Sequence, residues 1–369
     1  MVAAAVQAQQ QQPSSSPPSG PPILGLRMRS RRSNSRSRGT VCSPPLSPRS
    51  AAGDDSDRVR TMLMQDRSNT YGCVDKYTQR LINSNSSSTD SVKSTVDTVC
   101  REKMVEWMYR VADHFNEDRE IVAMGQSALD RFVSKCPCDR SAFKLAAMTA
   151  LYVCSKTNGV WGTSRTSSTS SHHHHPHQYF HNPPRPAISI QSLAELSRGE
   201  FDAQHISEME MIILQSLGWR MNPPTVQSFI HSFYHYLPTL LANKQQPQGQ
   251  EQQHSSNMIA SSIYQRAIFF AELAVYDHAF VTTERALLAV SAFLNAMEGI
   301  DEASVPAHQQ DYFLHVLESV FKLSYPRDVI EDCRNRLWFV YSMTAQYRDE
   351  EDTSSGSGSS SVSTSSSSS

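Results

Sequence analysis

Apolar and polar positions along the chain fall into two helical blocks framed by polar sequence. From Asp97, the residues Met104, Trp107, Met108, Val111 and Phe115 recur at three-and-four spacing, with Glu102, Glu106, Arg110 and Asp113 mostly opposite. This is the period of an amphipathic helix. Ile121, Met124, Ala128, Leu129 and Phe132 predict a second helix that ends near Lys135, where Cys136-Pro137-Cys138 breaks it, because proline cannot continue a helix. The third helix, Ser141 to Lys156, differs in kind. Leu145, Ala146, Ala147, Met148, Ala150, Leu151, Val153 and Cys154 cover nearly its whole circumference. A helix that is apolar all round is buried by neighbours on every side, so this one is predicted at the centre of a bundle. Ile190, Leu193 and Leu196, then Ile206, Met209, Ile213 and Leu217, predict two more, so five helices fit between Asp97 and Leu217. Thr225, after Asn222-Pro223-Pro224, is placed to cap a further helix carrying Val226, Phe229, Ile230, Phe233 and Leu237.

The second block, residues 258–348, repeats the helical period through Ile263, Phe269 and Leu273, then Leu287, Val290 and Phe293, Phe313, Leu317 and Phe321, and finally Cys333, Leu337 and Val340. No strand-like alternation competes in either block, so the predicted class is all-α. Around the blocks, residues 55–96 read as an N-terminal helical extension, with short helices at Asp57–Asp66 and Val74–Ile82. Residues 1–54 form a basic, Ser- and Pro-rich tail too poor in apolar surface to offset chain entropy, and disorder is expected there. The same holds for a His-rich insert at 157–187, a Gln-rich linker at 241–257 and a Ser-rich tail at 349–369. The first block is accordingly bounded at residues 97–240.

The formal net charge of −2 gives no global argument for nucleic acid or membrane. Seven cysteines at spacings that form no framework suit a reducing compartment. No secretory signal is read at the start, and no uninterrupted apolar stretch is read as long enough to cross a bilayer. Arg27 to Arg38, with Arg29, Arg31, Arg32 and Arg36, is either a nuclear-localisation or RNA-contacting patch or a solvated basic tail. Ser16, Ser43 and Ser47 each precede a proline and suit proline-directed kinases. His172 to His175, His177 and His181 lack Cys or acidic partners, so they read as low-complexity sequence rather than a metal site. No cofactor and no metal are expected. A glycine-rich phosphate loop and a nucleophile with a base at recognisable spacing are both missing, which argues against an enzyme.

Four segments, in order, resemble the cyclin family. Arg101-Glu102-Lys103-Met104-Val105-Glu106-Trp107-Met108 is similar to the opening helix of a cyclin box, and Asp130-Arg131-Phe132 to its second-helix signature. Ala150 to Lys156 resembles the buried third helix. Met209 to Leu214, followed by Leu217-Gly218-Trp219-Arg220-Met221-Asn222-Pro223-Pro224-Thr225, resembles the fifth helix and its exit. Residues 258–347 are similar to the family's second fold more loosely, chiefly through Phe270-Ala271-Glu272-Leu273-Ala274. The Ser- and Gln-rich inserts resemble in style those of diatom cyclins. The resemblance implies two tandem five-helix cyclin folds between disordered tails. It also implies a non-catalytic subunit, located in nucleus and cytoplasm with the nucleus favoured, that binds and activates a cyclin-dependent protein kinase in cell-cycle control.

By the same resemblance Lys156 and Glu210 anchor the kinase's regulatory helix, and Leu214, Trp219 and Met221 wall the apolar groove around them. The residues alone leave other roles open. A cation ending a helix is favoured by its dipole, and Glu210 would serve as well on a solvated face. Arg101 and Asp130 are implied to pair across the first two helices, a structural role. Met104, Trp107, Arg110 and Lys144, beside Cys100 and Lys103, correspond to a substrate-docking surface. There Lys103, Arg110 and Lys144 are basic where the family has other residues, which predicts repulsion of basic substrate motifs. Thr157 stands where an aromatic is expected at the groove's edge. The alternative is a cyclin-fold transcription factor of the TFIIB type, which requires basic surfaces on the folds themselves; here the densest basic run lies in the tail.

Overall fold

The computed structural model describes residues 48–68, 70–73, 77–83, 96–159, 188–237, 250–298, 300, 305–306 and 308–355. The Arg/Ser run, the three Ser-Pro sites and the His tract lie outside them. The chain divides into two units, Met1–Asp55 and Ser56–Ser369; of the first, only the helical residues 48–55 are described.

All regular structure among the described residues is helical. In chain order the elements are α1 Pro48–Asp66, α2 Tyr77–Asn83, α3 Thr98–Phe115, α4 Glu120–Lys135, α5 Arg140–Gly159 and α6 Ile190–Leu196. They continue with α7 Ala203–Ser216, α8 Val226–Tyr234, α9 Gln250–Tyr276, a 3-10 turn His278–Thr282 and α10 Arg285–Glu298. Last come α11 His308–Val316, continued as a π-helical turn Leu317–Phe321, and α12 Arg327–Ser355. The predicted helices are all present, and their ends differ where low-complexity sequence was read as a break. α1 begins at Pro48, α9 at Gln250 inside the Gln-rich run, and α12 runs on to Ser355. Glutamine is a good helix former, so a Gln-rich stretch extends a helix as readily as it interrupts one.

Sequence-local chemistry fixes the ends. The Asp97 carboxylate accepts from the Cys100 amide at 2.7 Å and caps α3. Asp202 caps α7 through the His205 amide, and Thr225 caps α8 through the Ser228 amide at 2.9 Å, as the sequence predicts. α5 occupies the centre of the first block, packed against α3, α4 and α7, with Ala146, Ala147, Ala150, Leu151 and Cys154 fully buried. Gly125 of α4 permits this approach: a Cβ there would lie 3.3 Å from the Leu151 Cα.

A buried ion pair ties the first block together and to the second. The Arg101 guanidinium of α3 donates to Asp130 of α4 through Nε at 3.1 Å and Nη2 at 2.8 Å. The Tyr77 hydroxyl of α2 and the Gln126 amide also donate to Asp130, at 2.7 and 2.9 Å. Arg101 Nη1 reaches the carbonyls of Val275 and Tyr276 at the end of α9, at 2.9 and 2.8 Å. Burial alone would lower the Arg101 guanidinium, but Asp130 beside it outweighs this and holds it above its ordinary value. Burial and the same carboxylate push the Tyr77 phenol well up.

One boundary moves. α8, read from sequence as the end of the first block, packs in the core of the second, where Phe229, Ile230, Phe233 and Leu237 join Phe293, Phe313 and Phe321. The Phe233 ring touches all three of those rings, at centroid distances of 6.2, 6.3 and 5.7 Å. Asn222-Pro223-Pro224 is thus the connection between the blocks rather than an internal turn. α1 joins the same core through Val59, Met62 and Leu63. The Asp66 carboxylate at its end accepts from Arg285 at 2.8 Å and from the Ala286 amide at 3.2 Å, where the α10 N-terminus favours an anion. One stretch corrects the sequence reading. Ser256–Tyr276 is long and apolar enough to cross a membrane by length and composition. Ala260, Ile263, Ala267, Phe270 and Ala271 are buried in the second core, so it is a core helix here.

Removing one partner of a buried charge pair leaves the other uncompensated. Asp130→Ala is expected to cost about 3–5 kcal/mol, read from urea denaturation against wild type. Asp277, beside the end of α9, gives a pH test. Burial would raise its carboxyl, yet hydrogen bonds from Arg336 and the Ala279 amide outweigh that and hold it below the usual carboxylate range. A carboxyl lowered on folding stabilises above its unfolded titration and loses that contribution as pH falls through the folded one. Wild-type stability is therefore expected to drop more steeply below about pH 4 than that of Asp277→Asn, in urea midpoints collected across that range.

Candidate partner groove

The last turn of α5, the outer face of α7 and the turn that follows α7 enclose a groove of about 500 Å³. Each wall follows from the local fold. From Leu145 to Cys154 α5 is almost wholly apolar, and Lys156 follows with its ammonium 4.4 Å from the Tyr152 ring centroid. On α7, Ile206, Met209 and Ile213 face the core, which sets Glu210 and Leu214 beside them at the groove. α7 ends where the backbone turns left-handed at Gly218 and again at Trp219, with φ of 59° and 63°. Glycine adopts this freely, whereas a bulky side chain does so at a cost. The turn is held by the Trp219 amide bonding the Leu214 carbonyl at 2.9 Å, and it leaves the indole 64% exposed at the rim.

All five residues predicted for the groove line it: Lys156, Glu210, Leu214, Trp219 and Met221, with Thr157 at its edge. Lys156 and Glu210 are in direct contact as an ion pair, the lysine side chain 43% and the glutamate 17% exposed. The site thus combines one half-buried pair of opposite charges with apolar walls. Its charges carry hydrogen-bonding capacity of both signs, since Lys156 donates and Glu210 accepts.

Tyr71, which sequence reasoning did not assign, also lines the groove. It belongs to the strap between α1 and α2, and no periodic signal marks it. The Arg131 guanidinium of the Asp130-Arg131-Phe132 motif lies 5.3 Å from the Tyr71 ring centroid, and it donates to the Arg220 carbonyl at 2.9 Å. Arg220 in turn donates to the Thr70 hydroxyl at 3.0 Å. The strap and the exit turn of α7 are thereby locked to each other through α4.

Arg101 and Asp130 lie elsewhere, in the buried network between α3 and α4. The four residues read as a substrate-docking surface are on the outside of α3 and α5, with Met104 and Trp107 half-buried and Arg110 and Lys144 exposed. The structure adds that Arg110 pairs with Glu106, and Lys144 with Glu200 at 3.1 Å. Two of the three basic charges on which repulsion was argued are therefore offset locally. No group of three or more metal-ligating side chains occurs among the described residues. Burial pushes the thiols of Cys73, Cys138 and Cys154 up to about 12, so these sulfurs are protonated and poor nucleophiles at neutral pH.

A family model described as the cyclin N-terminal domain matches residues 73–222, which contain the Arg101–Asp130 pair and every groove residue named above except Tyr71. Human cyclin-O is 23% identical over 253 residues, covering 68% of this chain and 57% of that protein. Mouse G1/S-specific cyclin-D1 is 20% identical over 238 residues, covering 64% and 66%. The chain spans about half the length of the first curated relatives it matches. An X-ray structure of a viral cyclin from herpesvirus saimiri aligns at a TM-score of 0.46 with 14% identity, over 69% of this chain and 91% of that one. Residues 73–222 are therefore a cyclin N-terminal domain, and the similarity to cyclins extends beyond it.

Proposed function

We propose that this cyclin is the regulatory subunit of a cyclin-dependent serine/threonine kinase, which it binds and activates through the groove between α5 and α7 in the control of cell-cycle progression, in the nucleus and cytoplasm. The observation that carries the reading is the Lys156–Glu210 pair set among apolar walls, with Trp219 held out at the rim. A protein kinase needs its regulatory-helix glutamate paired with the lysine that holds the ATP phosphates. A partner that binds only the inward position of that helix shifts the population toward it, by as much as its contacts discriminate the two states.

The groove's chemistry suits such a helix. Leu214, Met221 and the Trp219 indole cover apolar side chains, while Lys156 and Glu210 exchange their mutual contact for a carbonyl and an amide at a helix end, where backbone groups lack intrahelical partners. The self-pair is partly exposed and so costs little to open, since exposed pairs are worth about 0–1 kcal/mol. Tyr71 widens the contact area and links it to the N-terminal extension, and this cyclin supplies no catalytic group in the scheme.

Lys156→Ala/Glu210→Ala is expected to lose pull-down of a purified cyclin-dependent kinase and to reduce stimulated histone phosphorylation by at least about tenfold, the scale of a central interface anchor. The circular dichroism melt is expected to stay within a few degrees of wild type, because both side chains are partly exposed. Failure of the wild-type chain to bind any cyclin-dependent kinase sinks the proposal and leaves the TFIIB-type reading to be tested on DNA.

A further inference from the structure

Two glutamines, one from each block, keep unmet hydrogen-bonding capacity where the blocks join. Gln126 of α4 is 1% exposed and Gln227 of α8 is 7% exposed. Gln126 donates through Nε2 to the Asp130 carboxylate at 2.9 Å. A carboxylate only accepts, so the orientation of this amide is fixed and its carbonyl is the free end. Neither Gln126 Oε1 nor either end of the Gln227 amide has a hydrogen-bond partner among the described residues. Buried amide atoms without partners are costly, and both side chains line one cavity of about 90 Å³ between α4, the Pro223-Pro224 connection, α8 and α9. The charged groups of its wall are already matched: Arg101 with Asp130, Arg285 with Asp66 and Asp277 with Arg336. The Cys73 thiol in the same wall is neutral, pushed up to about 12 by burial.

We propose that this cavity is a binding site for a small neutral primary carboxamide. Its unmet groups are two carbonyl acceptors, on Gln126 and Gln227, and one NH2 donor, on Gln227. A primary amide carries the complement, two N–H donors and one carbonyl acceptor. No unpaired charge in the wall calls for an ion, and a carboxylate would bring two acceptors and no donor to the glutamine carbonyls. Ala123, Ala271 and Ala274 line the cavity beside the glutamines and suit a short apolar end. The volume sets the size: about 90 Å³ is the liquid share of about three waters, which admits an amide of a few non-hydrogen atoms. Gln227 also lines a larger space of about 390 Å³ with Arg119, His231 and Tyr264. It is the one described residue common to both spaces, and rotation of its side chain gives the ligand a way in. A ligand held by both glutamines ties α4 of the first block to α8 of the second. The site is separate from the groove between α5 and α7 and does not depend on what fills that groove.

The test is NMR of the full chain labelled with 15N-glutamine and titrated with acetamide. Wild type is expected to show saturable shifts of the Gln126 and Gln227 side-chain NH2 signals, with a dissociation constant on the order of millimolar, since so few atoms contribute. Acetate and N,N-dimethylacetamide, which lack the N–H donors, are expected to give no saturable shift. Gln227→Met removes the unpartnered amide at similar volume. It is expected to melt no lower than wild type, because no hydrogen bond is lost, and to weaken acetamide binding about tenfold, followed on the Gln126 signal. Lys156→Ala/Glu210→Ala is expected to bind acetamide as wild type does. No saturable shift in wild type, an equal response to acetate, or unchanged affinity in Gln227→Met would each overturn the proposal. So would a Gln227→Met melt well below wild type, which shows the amide to be bonded already, or magnetisation transfer from the two amides to water alone at saturating acetamide.

Discussion

The fold depends on one buried cation. Arg101 is nearly inaccessible to water, and a charge so placed is tolerable only when its donors are satisfied. Two sides of the guanidinium go to Asp130, and the third goes to the carbonyls that end α9. Those carbonyls have no intrahelical partner, and a cation at a helix C-terminus is favoured in its own right. Asp130 is saturated by Tyr77 and Gln126 as well. α2, α3, α4 and α9 are therefore held by one network whose members cannot leave singly without exposing an unpaired group. Tyr109 of α3 stacks on Tyr276 at 5.6 Å, and Arg119 bridges Asp113 and Glu272, which extends the seam to the edge of the first block.

The groove inherits its rigidity from that frame. Asp130 and Arg131 are neighbours on α4, one turned into the network and the other toward the Tyr71 strap and the α7 exit. α5 is pinned from the same side by the close approach of Gly125 to Leu151. Lys156 thus projects from a helix that cannot tilt, and Trp219 from a turn tied back to Leu214 and Arg131. Such fixed walls lower the ordering cost that otherwise offsets contact energy on binding.

Much of this was legible in the residues. The period of three and four gave the helices, and the apolar circumference of Ser141 to Lys156 gave the central one. Thr225 gave a cap, Arg101 pairs with Asp130, and Lys156 pairs with Glu210 at the groove. What stayed hidden was long-range. α8 is amphipathic in either block, and only the rings of Phe293, Phe313 and Phe321 assign it to the second. Tyr71 has no local pattern and reaches the groove because Arg131 and Arg220 hold its strap there. Arg110 and Lys144 read as bare charges because the carboxylates that offset them differ in visibility. Glu106 is one turn away on the same helix, whereas Glu200 lies beyond the His-rich insert.

The ion pairs that α5 makes with α7 and α10 makes with α12 differ in sense between the two blocks. A surface that discriminates partners does so through what it rejects as well as what it accepts. At the first site a lysine stands outermost and a glutamate is half-buried; at the second a glutamate stands outermost and an arginine is buried. At the second pair the Arg334 guanidinium is shared among Asn295, Glu331 and Glu298, and each terminal nitrogen keeps a second N–H. α7 presents Leu214 to its groove, whereas Trp338 and Tyr341 of α12 pack on Phe270. The buried positions that hold each block together are retained, while the charge at the outer end of the pair is reversed.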